Sequence, residues 1–275
     1  MEKYFSITRV RRDSNFEMKT EHFHSFYEFY YLLSGSSKIF LNDKVYHVNA
    51  GDLIMIPKGE IHRTTYFSKG MHERIALCFD DNMIESLKRK TGEYAFAQCL
   101  LKRKLTVPVN KKNYIEELFE KLLLEKMNGD EFSMHLCQMY CEEIVIFVMR
   151  CQRNQQVDES VAEHYNQEME SAAAYISSHF SEPITLEHMA NRYCMSNSYF
   201  SKRFKQITGF GFKEYLNMVR IRRACELLLN TEKNITEISA ECGFMDSNYF
   251  GDAFRKIKKV SPREYRKGNM VKKKM

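Results

Sequence analysis

Apolar and polar positions change rhythm twice along this 275-residue chain. From Phe23 to Phe79 the rhythm is that of short strands. Phe26 to Leu33 is aromatic and β-prone, and Lys38 to Leu41 and Val45 to Val48 flank the turn Asn42-Asp43. Leu53 to Ile56 stops at Pro57, and Arg74 to Phe79 adds one more. Short strands punctuated by Gly, Asn, Asp and Pro predict a small β-barrel or sandwich over residues 1–80. Past Asp80 the period lengthens. Ile115, Leu118, Phe119 and Leu122 recur at helical spacing, as do Cys137, Tyr140, Cys141, Ile144 and Val148, with Asn128-Gly129-Asp130 between the two runs. That predicts a helical hairpin within residues 81–150. Its apolar surface, with Leu122, Leu123, Ile144, Val145 and Val148, looks too wide for one barrel to cover, so part of it is expected to join two subunits in a homodimer. Residues 151–168 are polar and nearly devoid of bulky apolar side chains, the composition of a linker.

A stripe then resumes at Met169, Ala172, Ala173, Ile176 and Phe180 and opens a third segment, 169–270, that contains an internal repeat. Thr185-Leu186-Glu187-His188-Met189-Ala190 corresponds to Asn234-Ile235-Thr236-Glu237-Ile238-Ser239 at an offset of 49. Tyr199-Phe200 and Phe204-Lys205 correspond to Tyr249-Phe250 and Phe254-Arg255 at an offset of 50, so the two copies differ by one residue in the turn between. Each copy reads as a short helix, a tight turn and a second helix, over about 184–205 and 235–256. Ser196 is the expected cap of the first copy's second helix, and Asp246 or Ser247 that of the second copy's. Gly243 supplies the backbone freedom that the second turn needs. Between the copies, Phe212, Tyr215, Leu216 and Val219 are followed by Ile221, Ala224, Cys225 and Leu228, the pattern of one long helix able to hold both units rigidly.

Charge separates the halves. Residues 171–275 carry 19 Lys+Arg against 10 Asp+Glu, which leaves 23 against 26 in residues 1–170. All of the positive excess thus lies with the repeat, as expected when one half of a chain meets a polyanion. Eight cysteines occur without a Cys-x-x-Cys pair, so neither a zinc ribbon nor a thioredoxin-like site is indicated, and buried thiols are expected. The first residues lack the apolar core of a secretion signal and no run of 18 apolar residues occurs, so the expectation is a cytoplasmic protein with no membrane partner.

The segment from about 171 to 270 resembles the DNA-binding domain of AraC/XylS-family transcription regulators. The resemblance is strongest over residues 235–267, with the Gly243-Phe244 turn, the Tyr249-Phe250 pair, Phe254-Arg255 and the ending Ser261-Pro262-x-x-Tyr265-Arg266. Ser239 stands where the family usually has Ala. The resemblance implies double-stranded promoter DNA as partner, with RNA polymerase a further one. Helical geometry agrees on which residues face outward: Asn197, Ser198, Ser201 and Lys202 on the first recognition helix, and Ser247, Asn248, Gly251 and Asp252 on the second. Arg203, Lys205, Lys213, Arg255, Lys256 and Lys258 are expected at phosphates. Asp252 is expected to pair with Lys256, one turn on.

Upstream, His22-x-His24-x3-Glu28-x6-Gly35 and Gly51-x5-Pro57-x-Gly59-x2-His62 resemble the two cupin motifs, although Phe16 replaces a Gly and Tyr66 a usual Asn. In metal-bearing cupins such residues hold one divalent ion. In AraC-like regulators the barrel binds an effector, often a sugar or related metabolite, and His and Glu act as hydrogen-bonding groups. The chain is thus expected to be α+β, with a cupin-like barrel and helical hairpin followed by an all-α domain carrying two helix-turn-helix units. It is expected to sense a small-molecule effector through His22, His24, Glu28, Tyr30 and His62, with no cofactor and no enzymatic activity. The alternative is a metal-dependent cupin enzyme carrying a DNA-binding appendage.

Overall fold

The computed structural model describes residues 4–12, 23–66, 70–154 and 167–273, the last five without their side chains. The strands in chain order are β1 (Phe5–Arg12), β2 (Tyr27–Ser34), β3 (Ser36–Leu41), β4 (Lys44–Asn49), β5 (Asp52–Ile56), β6 (His62–Tyr66) and β7 (His72–Phe79). Helices α1 (Glu85–Thr91) and α2 (Glu93–Leu101) precede one more strand, β8 (Lys104–Thr106). These strands form a five-stranded sheet, β1-β7-β2-β5-β8, facing a three-stranded one, β4-β3-β6. The pairings are antiparallel, so residues opposite each other share a face. Asn42 and Asp43 both take positive φ and close the β3–β4 hairpin, a conformation that Asn and Asp tolerate better than other side chains. The barrel is legible over most of its length, but β1, β6 and β8 were not expected from the periodicity, and β8 comes from beyond residue 80.

Alternation divides the barrel's residues among three environments. Tyr30, Leu32, Ile39, Leu41, Val48, Ile54 and Ile56 line the lumen between the sheets. Tyr27, Phe29 and Tyr31 point out of the five-stranded sheet, where α3 (Lys112–Asn128) and α4 (Ser133–Asn154) pack against it. Gly129, at φ +62°, closes α3, and the Asp130 carboxylate accepts from the backbone N–H groups of Phe132 and Ser133 to start α4. The hairpin is therefore as expected, but its apolar surplus is not. Leu122, Ile144, Val145 and Val148 are fully buried within the one chain and Leu123 partly, because β1 and β8 widen the sheet and α1 and α2 close over the rest. The four fully buried residues are therefore not available to a subunit interface.

Residues 151–154 continue α4, and residues 155–166 of the expected linker lie outside the described residues. Then follow α5 (Gln167–Ser178), α6 (Leu186–Arg192), α7 (Asn197–Thr208), α8 (Phe212–Asn230), α9 (Ile235–Glu241), α10 (Ser247–Lys258) and α11 (Pro262–Lys273). Phe200, Phe204, Phe250 and Phe254 are fully buried around α8, whose buried face winds from Phe212 to Leu228. The same core takes in Phe23, Phe40 and Ile61 from the barrel. Phe40 meets the rings of Phe210 and Tyr215 edge-on, at 5.9 and 5.6 Å between centroids. Arg63 donates to the Gly209 carbonyl and to Glu214 Oε1 (2.7 Å), with its guanidinium 4.0 Å from the centre of the Phe210 ring. Asp43 accepts from the Tyr215 hydroxyl and from Ser177 Oγ (2.9 Å), and Glu170 accepts from the Val45 N–H at 2.8 Å. The three-stranded sheet therefore docks on the helices of the repeat-bearing segment as the five-stranded sheet docks on the hairpin. No helix among the described residues is long and apolar enough to cross a membrane.

Candidate nucleic-acid interface and barrel site

Each repeat unit folds for a local reason. Thr185 caps α6 by accepting from the His188 N–H, and Ser196 caps α7 by accepting from Tyr199. In the second unit Asn234 and Glu237 form a reciprocal capping box at α9, and Asp246, not Ser247, caps α10. The two turns meet one backbone demand differently. Gly243 takes φ +79°, and a Cβ there would lie 2.7 Å from the Ser181 carbonyl; its counterpart in the first unit, Cys194, takes φ +53° with a side chain in place. That cysteine is exposed and Cys78 half-buried, while the other six thiols are buried.

The capped helices present the anticipated faces. Asn197, Ser198 and Lys202 on α7, and Ser247, Asn248 and Asp252 on α10, are exposed, while Ser201 and Gly251 are half-buried beside them. Lys205, Lys213, Arg255 and Lys256 are exposed at the flanks, and Lys258 is half-buried. Arg203 is half-buried and lies 3.7 Å from Glu168. Asp252 pairs with Arg255 at 3.7 Å rather than with Lys256. The three-residue spacing brings the guanidinium, the longer reach, to the carboxylate first. Between α7 and α10 a cleft of about 580 Å³ crosses α8, lined by Ser201, Lys213, Asn217, Arg220 and Tyr249 among others. Asn217 donates to the Tyr249 hydroxyl at 2.7 Å, and Lys213 Nζ lies 5.3 Å from the centre of that ring. Asn217 and Tyr249 were not anticipated from the sequence. Asn217 lies on the connecting helix α8 and Tyr249 on α10, and only the fold makes them neighbours.

In the barrel, His24, Glu28 and His62 converge, with one ligand atom from each within 4.8 Å of the others. His24 Nε2 is 3.1 Å and His62 Nε2 3.7 Å from the same carboxylate oxygen, Oε2 of Glu28. The other imidazole nitrogens face backbone carbonyls, Phe26 O at 2.8 Å and Glu60 O at 3.0 Å. A carbonyl only accepts, so each Nδ1 carries a hydrogen, and each Nε2 reaches Glu28 through either a proton or a cation. That arrangement fits a divalent ion as well as a polar ligand. Burial pushes the Glu28 carboxyl up, but the His24 hydrogen bond and the charges of His62, His24 and Arg74 outweigh it and hold the group at about 2. Tyr30 lies two residues along the same strand face but turns its hydroxyl to Ser37 (3.2 Å), and His22 falls outside the described residues.

Residues 5–132 match the AraC-like ligand binding domain, and residues 189–268 match a helix-turn-helix domain. The HTH-type transcriptional activator RhaR of Mannheimia succiniciproducens is 26% identical over 89% of this chain and 86% of its own. The activator RhaS of Escherichia fergusonii is 38% identical, and the regulatory protein PocR of Salmonella typhimurium 36% identical. In both, the chain spans only 34% of the relative's length. Among solved structures, an apo form of ToxT from Vibrio cholerae is 16% identical, with 95% of this chain and 96% of that one covered at a TM-score of 0.43.

Proposed function

The chain belongs to the AraC-like family of helix-turn-helix transcription regulators, and from that premise we propose how it works: a small polar metabolite, a sugar or a related compound, bound at His24, Glu28 and His62 controls how α7 and α10 read promoter DNA. One observation carries this reading. The strand that ends the site at His62 continues, one residue on, into Arg63, which holds the Gly209 carbonyl at the end of α7. Site and reading helix are thereby in direct mechanical connection.

Asn197, Ser198, Ser201, Lys202, Ser247, Asn248, Gly251 and Asp252 are positioned for base edges, and Arg203, Lys205, Arg255 and Lys256 for phosphates. The protein acts as a cytoplasmic regulator rather than an enzyme and works with RNA polymerase. It pairs with a second copy through the apolar side chains left exposed near the hairpin tip: Leu124, Met127, Phe132 and Met139. Light scattering that reports a monomer at micromolar concentration would remove the pairing. The effector reading is tested by thermal unfolding with a panel of sugars: a stabilising ligand should lose its effect in Glu28→Ala. A hit that persists in that variant places the site elsewhere.

The Nδ1–carbonyl bonds of both histidines favour a second reading, a divalent ion at the same three atoms. Stoichiometric metal in purified wild-type protein, absent from Glu28→Ala, would select it; turnover lost in His62→Ala would add the enzyme.

A further inference from the structure

The barrel lumen holds a second polar group that His24, Glu28 and His62 do not use. Arg74 lies opposite Leu32, a lumen residue, so it faces inward, and so does His72 two residues earlier on the same strand. Arg12 lies opposite His72 on β1 and shares that face. From the other sheet, Tyr66 brings its ring to 4.6 Å from His72 and also meets the Tyr30 hydroxyl. The Arg74 guanidinium is 5.2 Å from the centre of the Tyr30 ring. Four strands thus deliver two guanidiniums, an imidazole and two phenols to one end of the lumen.

Two members of this group, His72 and Arg74, keep buried polar atoms unmatched among the described residues. His72 is 1% exposed, yet neither ring nitrogen has a hydrogen-bond partner among the described residues, and Nε of Arg74 is buried in the same condition. Buried donors and acceptors are almost always satisfied, so a pair of neighbouring exceptions marks a position that something else completes. Among the described residues, Glu73 faces the outside and pairs with Arg9, and Glu28, although it feels the Arg74 charge, makes its hydrogen bond with His24. The fold also makes room for the imidazole. Gly35, at φ +84°, would set a Cβ 2.5 Å from His72 Nδ1.

We propose that this end of the lumen binds the anionic group of the effector, a carboxylate or a phosphate, with Arg74 and His72 as its donors. The inference rests on the reading above that the barrel holds an effector, and adds that the effector is acidic. A planar guanidinium matches two oxygens of either anion at once, which the hydroxyls of a neutral sugar do not reproduce. Tyr30 and Tyr66 then face the body of the molecule beside the anion.

The test is thermal unfolding of the full-length protein in phosphate-free buffer with matched ligands: glucose, glucose 6-phosphate, glucuronate and inorganic phosphate. At least one anion should raise Tm, by roughly 5–10 °C at a hundredfold excess over Kd, while glucose does not. Glucose 6-phosphate against glucuronate separates phosphate from carboxylate. Arg74→Gln should abolish the shift while circular dichroism stays native; should that variant not fold, Arg74→Lys is read instead and should weaken binding about tenfold or more. No shift with any anion, an equal shift with glucose, or a shift that survives Arg74→Gln overturns the proposal. A glucose shift lost in Glu28→Ala would sink the anion site alone and leave the effector reading standing. An anion shift lost in Arg74→Gln but kept in Glu28→Ala would do the reverse.

Discussion

Arg63→Ala should loosen the barrel from the DNA-binding helices by more than the loss of one surface charge. The side chain is 13% exposed and makes three contacts: the Gly209 carbonyl, Glu214 Oε1 and the face of Phe210. Glu214 is 43% exposed, so that ion pair is screened and contributes about 0.5–1 kcal/mol. The carbonyl bond comes from a charged donor and contributes about 1.5–3 kcal/mol, and the stacking on Phe210 about 1 kcal/mol. The contacts share one side chain and do not simply add, so the docking should weaken by about 3 kcal/mol. The start of α8 should survive, because the other Glu214 oxygen still accepts from the Gly211 N–H at 3.1 Å. Hydrogen exchange in the full-length protein reads this directly. Amides from Gly209 to Tyr215 should exchange roughly a hundredfold faster where undocking limits their exposure, while those of α10 change little. Arg63→Lys should fall between, since an ammonium keeps the charge but loses the flat face that covers Phe210. Unchanged exchange at 209–215 in Arg63→Ala would refute the reasoning, because the docking would then rest on the other contacts, among them those of Phe40, Asp43 and Val45.

Three other outcomes are expected. Asp252 is 80% exposed beside Arg255, one of the cations proposed above to meet phosphate, so Asp252→Ala should raise affinity for random duplex DNA about threefold at 0.1 M salt; an electrophoretic titration showing weaker binding would mean that the carboxylate organises Arg255 instead. Burial raises the Asp81 carboxyl, but hydrogen bonds from Lys58 and Lys88 outweigh it and hold the group at about 2. Its stabilising contribution is therefore full above about pH 4 and is lost as pH falls toward 2, so Asp81→Asn should cost about 1 kcal/mol at pH 7 and flatten the fall of Tm between pH 4 and 2. Gly243→Ala combines left-handed strain with a Cβ 2.7 Å from a carbonyl and should cost about 3 kcal/mol, or roughly 6–12 °C in Tm, whereas Cys194→Gly at the matching turn should change Tm little.

Much of the DNA-reading half was legible because its signals are local. A cap, a turn glycine and a pair of phenylalanines at i and i+4 act within one or two turns of helix, and Ser196, Asp246, Gly243 and Phe200/Phe204 behave as their spacing implies. His24, Glu28 and His62 were legible through the resemblance to the cupin motifs, and their convergence needs both sheets, since Glu28 lies on β2 and His62 on β6. The rest depends on non-local contacts. β1 reads Phe5-Ser6-Ile7-Thr8-Arg9-Val10-Arg11-Arg12, in which arginines mask the alternation, and β8 has only three residues. Those two strands decide that Leu122, Ile144, Val145 and Val148 are covered within the chain. Arg74 and His72 belong to no motif, and their relation to Tyr66 exists only across the lumen. The barrel's docking on α8 is carried by Arg63, Asp43 and Phe40, residue types that a sequence scan assigns to solvent, turn and core respectively.

β6 spans five residues, and it has no face to spare. His62, Thr64 and Tyr66 alternate toward the lumen, while Arg63 and Thr65 lie against Gly209, where a Cβ would stand 2.6 Å from Arg63 Cδ. Sensor and reader are therefore cut to fit one another and cannot be exchanged as cassettes. A chimera that joins this barrel to another regulator's reading helices inherits the lumen but not the glycine gap at the end of α7. Such a hybrid would bind its effector and its operator with the two events uncoupled, unless the outward residues of β6 and the Gly209–Glu214 corner are transplanted together.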